Sequence, residues 1–185
     1  MNGLILIGGK SSRMGTDKSL LNYHGLSQRE HLFSLLGKFC KEVYFSSRKE
    51  QGLSENVIID TLAISPISGI LSAFENNSKT AWLVLACDMP LVTDKAIELL
   101  LKHRNTEKMA TAFYNPEITA PEPLITIYEP KAYPLLIEYI NAGHKSPKVF
   151  LQNNNVQLIY IEEKGFLRNV NTKHEFNEYQ SISMQ

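Results

Sequence analysis

Short apolar runs alternate with amphipathic stretches along the chain, and this alternation predicts an α/β fold. Apolar runs of strand length predict strands at 3–7, 43–45, 57–59, 82–88, 110–114, 124–128 and 156–162. Helix-like spacing of apolar residues predicts helices at 27–39, 66–76, 93–103, 133–142 and 172–179. Strands that alternate with helices are typical of a mostly parallel sheet with helices on both faces. The pattern therefore predicts a three-layer α/β/α arrangement.

Helix boundaries are marked by residues with specific capping chemistry. Ser27 with Glu30, and Thr172 with Glu175, have the spacing of capping boxes, in which side chain and backbone bond reciprocally. Gly143 is placed to end the fourth helix. The segment 115–123, NPEITAPEP, is predicted to be irregular. No Pro/Gly/Ser-rich linker divides the sequence, so we expect one domain over residues 1–185.

Composition and charge narrow the class of protein. The chain has 185 residues and a formal net charge of +0, which gives no reason to expect a nucleic acid or an anionic membrane as partner. No apolar run reaches the roughly 18 residues that a membrane span needs. Cys40 and Cys87 have no metal-binding or redox spacing and fit a reducing compartment. We therefore expect a cytoplasmic protein without a signal peptide.

Two lysines after the first strand are candidates for contact with a phosphate. Lys10 lies in a Gly-Lys-Ser sequence, but a Walker A loop would require glycine at the position of Leu4. Lys10 is therefore interpreted as a solvated loop residue. Lys18 follows Gly8-Gly9 and Arg13 in a longer loop, at the carboxyl end of the first strand, where open α/β sheets bind ligands.

Five segments of the sequence resemble a known family. LILIGGKSSRMGTDKSLL resembles the signature L-A-G-G-x-S-x-R-M-G-x-D-K of the MobA-like nucleotidyltransferases. DTLAISPISGILSAF, LVLACDMPLV, EPLITIY and RNVNT resemble further family motifs, in the same order along the chain. The resemblance covers nearly the whole sequence and implies a Rossmann-like α/β/α nucleotidyltransferase domain.

The resemblance also implies a reaction. The family transfers a nucleoside monophosphate from a nucleoside triphosphate and releases pyrophosphate. In its guanylyltransferase branch, GMP passes from GTP to the terminal phosphate of Mo-molybdopterin, with Mg²⁺. Such chemistry depends mainly on positioning and on neutralising phosphate charge, so it needs no Ser- or His-centred triad. Transient contact with proteins that supply molybdopterin or accept the product is part of this expectation.

Site roles follow from the resemblance, residue by residue. The nucleotide is expected to contact Leu6, Ile7, Gly8, Gly9, Lys18, Ser46, Asp60 and Asp88. Catalytic roles fall to Arg13 and Lys18, which neutralise phosphate charge, and to Asp88, which is expected to bind Mg²⁺. Asn169 and Asn171 match the motif associated with the pterin substrate.

Several alternatives stay open on the residues alone. Asp88 could simply end a strand, and Asn169 and Asn171 could be turn residues. Ile7 stands where the family usually has Ala, and Ser46 where guanylyltransferases often have Asn, which weakens the assignment of the base. The alternatives are therefore a CTP-dependent cytidylyltransferase and a non-catalytic module that binds nucleotide or molybdopterin. The Gly-Gly turn, the Asp-Lys pair and the NVNT ending favour GTP.

Overall fold

A computed structural model describes residues 1–7, 18–48, 55–161, 165–170, 172, 174, 175, 177 and 178, with Lys18 described by its backbone alone. The strands are β1 (Asn2–Leu6), β2 (Val43–Ser47), β3 (Val57–Ile59), β4 (Trp82–Ala86), β5 (Ala110–Asn115), β6 (Ala120–Tyr128) and β7 (Val156–Ile159). The helices are α1 (Gln28–Gly37), α2 (Pro66–Asn76), α3 (Asp94–Lys102), α4 (Ala132–Asn141) and α5 (Pro147–Gln152), with 3₁₀ turns at Lys18–Leu20 and Gly165–Leu167. Within these residues, no helix is both long and apolar enough to cross a bilayer.

The seven strands form one sheet in the order β3-β2-β1-β4-β6-β5-β7. Strand β1 pairs in parallel with β2 and β4, β2 with β3, and β5 with β7. Strand β6 is antiparallel to both of its neighbours, β4 and β5. The predicted mostly parallel sheet is therefore confirmed, with one reversed strand.

Alternate side chains of the central strands enter two separate cores, one on each face of the sheet. Ile5 of β1 and Leu85 of β4 pack with residues of α1 and α3. Leu4 of β1 and Trp82 of β4 pack with residues of α2, α4 and α5. Because β1 and β4 are buried on both faces, β4 is continuously apolar and β1 has only one polar residue, Asn2, at its start. The three-layer arrangement follows directly from this two-sided burial.

The predicted capping chemistry is present. The Glu30 N–H donates to Ser27 Oγ (3.4 Å), and the Ser27 N–H donates to Glu30 Oε2 (3.0 Å). The same reciprocal pair joins Thr172 and Glu175, at 3.2 and 3.0 Å. Gly143, which follows the C-cap residue Ala142 of α4, has a φ of 85°, a conformation that favours glycine.

In the second half of the chain, one prediction was wrong and one helix was not predicted. The segment 115–123 is not wholly irregular, because β6 already begins at Ala120 and includes Pro121 and Pro123. Strand β6 pairs with β4 only from Ile125 onwards, so these prolines lie beyond that ladder and remove none of its hydrogen bonds. Helix α5 was missed because six residues are too short for helical periodicity, although Ser146 caps it and Pro147 begins it.

Candidate active site

The carboxyl ends of β1 to β4 meet at one edge of the sheet, and five predicted site residues lie there: Leu6, Ile7, Ser46, Asp60 and Asp88. The Ile7 N–H donates to the Ser46 carbonyl oxygen (3.2 Å), which joins the ends of β1 and β2. The Asp60 N–H donates to Ser47 at the end of β2 (2.9 Å). On the other side of β1, the Cys87 N–H donates to the Leu6 carbonyl oxygen (3.2 Å) and places Asp88 just beyond β4. The predicted residues of this edge are thus brought together.

Asp60 uses both carboxylate oxygens to hold the start of α2. Its Oδ1 accepts a hydrogen bond from the Ala63 N–H (2.8 Å), and its Oδ2 accepts one from the Ser68 hydroxyl (2.7 Å). Ala63 has a φ of 48°, which alanine rarely adopts, so the hydrogen bond that its N–H donates to Asp60 stabilises a strained turn. Asp60 therefore shapes this part of the edge, and its contact with a nucleoside remains a prediction.

Ser46 is buried against α2. It is 3% exposed, and a Cβ atom added to Gly69 would overlap its hydroxyl oxygen. The same Cβ would lie 3.1 Å from Leu6 Cδ2. Helix α2 thus packs so closely against the ends of β1 and β2 that position 69 has no room for a side chain. Gly69 lies in the predicted helix 66–76, but the sequence alone gave it no role in the site.

Asp88 is partly exposed and lies in the turn that follows β4. Its carbonyl oxygen accepts a hydrogen bond from the Val170 N–H (2.7 Å), which brings the segment containing Asn169 beside the end of β4. The His24 ring nitrogen Nε2 lies 2.9 Å from the Pro90 carbonyl oxygen, where it donates as the N–H tautomer. The turn from Asp88 to Pro90 is therefore held by the Val170 N–H and by the His24 ring.

A cavity of about 360 Å³ lies where β5 ends and β6 begins. It is close to Asp88, because Asn169 of its lining precedes Val170, which bonds to Asp88. Its lining includes Asn115, Glu122 and Asn169. Glu122 is 3% exposed; its Oε2 accepts from Asn115 Nδ2 (2.9 Å) and its Oε1 from the Leu124 N–H (3.3 Å). Burial raises the pKa of Glu122, the hydrogen bonds from Asn115 and Leu124 oppose this rise, and the charge of Asp88 adds to it.

Sequence reasoning did not single out Glu122, which lines this cavity. Its motif, EPLITIY, was identified as family-like, but the acid was given no role. The available signal was a charged residue between two prolines, directly before an apolar run. Its place beside Asp88 depends on the antiparallel course of β6, which the local pattern did not reveal.

The remaining predicted residues lie outside what the structure describes. These are Gly8, Gly9, Arg13, Asn171 and the side chain of Lys18. Over the described part of the chain, no three His, Cys, Asp or Glu side chains are grouped to hold a metal ion. A carboxylate such as Asp88 fits Mg²⁺, which often takes one or two protein carboxylates and completes its shell with phosphates and water.

Comparisons with known proteins agree with the fold and the motifs. Residues 3–158 match the family described as MobA-like NTP transferase domain. The chain is 29% identical over 179 residues to a probable molybdenum cofactor guanylyltransferase from Flavobacterium johnsoniae, covering 94% of this chain and 93% of that protein. It is 33% identical over 182 residues to a molybdenum cofactor biosynthesis bifunctional protein from Synechocystis sp.; this match covers 95% of the chain but only about half (52%) of that relative.

A solved structure shares the whole fold. Molybdopterin-guanine dinucleotide biosynthesis protein A from Archaeoglobus fulgidus superposes with a TM-score of 0.82 and 24% sequence identity. The match covers 100% of this chain and 99% of that protein. The order of strands and helices described above is therefore that of a nucleotidyltransferase-like fold.

Proposed function

The chain belongs to the MobA-like NTP transferase family and is a nucleotidyltransferase, and we propose that it transfers GMP from GTP to the terminal phosphate of Mo-molybdopterin. Its guanylyltransferase relatives support this substrate pair. The observation that carries the proposal is the position of Asp88. It lies between the edge formed by β1, β2 and β3 and a separate cavity where β5 ends and β6 begins, an arrangement suited to two substrates that react at one point.

The reaction joins two phosphates. An oxygen of the acceptor phosphate attacks the α-phosphorus of GTP, the bond from that phosphorus to the β-phosphate oxygen breaks, and pyrophosphate leaves. Because the attacking oxygen is already anionic, the protein has to position the phosphates and offset their charge. Asp88 would hold Mg²⁺, which supplies charge neutralisation at the transferring phosphate when it is bound.

The other roles in the proposal rest on the resemblance of the motifs. Arg13 and Lys18 would offset phosphate charge, while Gly8 and Gly9 would let the nucleotide approach the backbone. Asn171 would contact the acceptor. We place the reaction in the cytoplasm, and a transient protein contact would deliver molybdopterin or receive the product.

The test is pyrophosphate release with Mg²⁺ and Mo-molybdopterin, comparing GTP, CTP and ATP. We expect release with GTP and a loss of about 100- to 1,000-fold in Asp88→Asn. The neutral amide would hold Mg²⁺ less well, so the charge at the reacting phosphates would no longer be offset. Asp94→Asn is the matched control, since Asp94 pairs on the surface with Lys38 (2.7 Å). Release with CTP instead would overturn the assignment of the base. No release by folded protein with any nucleotide would favour a non-catalytic binding module.

A further inference from the structure

The cavity beside Asp88 is placed to hold the part of the acceptor that lies beyond its phosphate. Leu85 of β4 is paired with Ile125 of β6. Because the two strands are antiparallel, residues that precede Ile125 lie beyond the end of β4, at the same edge as Asp88. Glu122 is one of these residues: it lies three positions before Ile125, as Asp88 lies three positions after Leu85.

The buried part of this cavity presents hydrogen-bond acceptors. Glu122 is fixed by Asn115 and by the Leu124 N–H, and each of its carboxylate oxygens retains a further lone pair. Asn169 Oδ1 is buried, and no group in the described part of the chain donates a hydrogen bond to it. A buried acceptor without a donor is costly, so the cavity favours a ligand that brings N–H groups.

The rim of the cavity does not select by charge. Lys148 and Arg168 line it, and so do Glu117 and Glu175. Arg168 is also paired with Glu178, at 3.2 Å. Two cations and two anions leave no dominant sign at the entrance. Selection therefore falls to Glu122 and Asn169 in the interior.

We propose that Glu122 determines specificity for the acceptor by accepting hydrogen bonds from the 2-amino-4-oxopyrimidine edge of its pterin ring. This inference rests on the proposed function and adds a residue that recognises the acceptor. The N3–H and the 2-amino group of a pterin are adjacent donors, and a carboxylate can accept both, one on each oxygen. The cavity, at about 360 Å³, lies within the range of about 300–1,000 Å³ of small-molecule sites.

The test compares two small probes, pterin and lumazine, whose rings differ by an oxo group in place of the 2-amino group. Binding to the full chain is measured by titration. The wild-type protein is expected to bind pterin at least about tenfold more tightly than lumazine, because the 2-oxo oxygen of lumazine is an acceptor that would face the Glu122 carboxylate. In Glu122→Gln this preference should fall to about twofold or less, since the amide can donate to lumazine. A merely structural role would weaken both probes equally.

Glu117→Gln is the matched control, because Glu117 lines the exposed rim of the same cavity and should leave the preference unchanged. If the Glu122→Gln variant does not fold, the relative affinities of the wild-type protein for pterin and lumazine test the inference on their own. Equal affinity for the two probes, tighter binding of lumazine, or no binding of pterin would each overturn the inference. Failure of the proposed function is recognised separately: it is the absence of GTP-dependent pyrophosphate release, which does not involve these probes.

Discussion

Gln28, the first residue of α1, is fully buried, and neither polar atom of its side-chain amide has a hydrogen-bond partner among the described residues. Leaving buried polar groups unpaired costs on the order of 1–3 kcal/mol. Methionine has a similar volume and shape and carries no group that needs a partner. Gln28 therefore lowers the free energy of unfolding relative to an apolar residue of the same size.

We expect Gln28→Met to raise the free energy of unfolding by about 1 kcal/mol, because the unpaired amide is removed and the core volume is kept. Urea unfolding monitored by circular dichroism measures the change. Gln152→Met, at an exposed position in α5, is the control and should alter stability by less than about 0.5 kcal/mol. A Gln28→Met protein less stable than wild type would contradict this account.

At the scale of elements, the approach of α2 to β1 and β2 decides the shape of the nucleotide side of the site. The approach depends on the missing side chain of Gly69, which faces Ser46 and Leu6. Asp60 reinforces it by holding Ser68 in the first turn of the helix. The packing of one helix thereby positions the strand ends that are proposed to bind GTP.

We expect Gly69→Ala to destabilise the protein by about 1–3 kcal/mol and to raise the KM for GTP, because the added methyl group pushes α2 away from Ser46. Gly37→Ala is the matched control: nothing lies within 4 Å of its added Cβ, and alanine favours the helix. Adding Ser46→Ala to Gly69→Ala should recover part of the loss, since the overlapping hydroxyl is removed. Thermal unfolding and steady-state kinetics measure both effects, and a Gly69→Ala protein as stable as Gly37→Ala would refute this prediction.

Elements with strong local signals could be predicted, and those that depend on distant pairing could not. Helix α2 begins at Pro66 as expected, since proline fits the first helical position. The edge carrying Asp60 and Asp88 follows from the rule that ligands bind at the carboxyl ends of parallel strands. Glu122 could not be placed there, because the reversal of β6 depends on its long-range pairing with β4.

In the whole molecule, β4 separates the part of the sheet that is proposed to bind the nucleotide from the part that carries the cavity. Strands β1 to β3 carry the proposed nucleotide contacts, and β5 and β6 carry the cavity with Glu122. Asp60 and Glu122 are separated by four strand spacings, roughly 19 Å at about 4.8 Å per strand. Groups this far apart with no shared partner act nearly independently.

The two halves should therefore respond separately to substitution. We expect Asp60→Asn to raise the KM for GTP, because the turn at Ala63 and Ser68 loses a carboxylate acceptor, and to leave the KM for Mo-molybdopterin unchanged. Glu122→Gln should do the reverse. In the double variant the two fold-changes should multiply to within about twofold, which corresponds to a coupling below roughly 0.5 kcal/mol. A larger departure in the steady-state constants would mean that the halves move together, and that Asp88 transmits the occupancy of one site to the other.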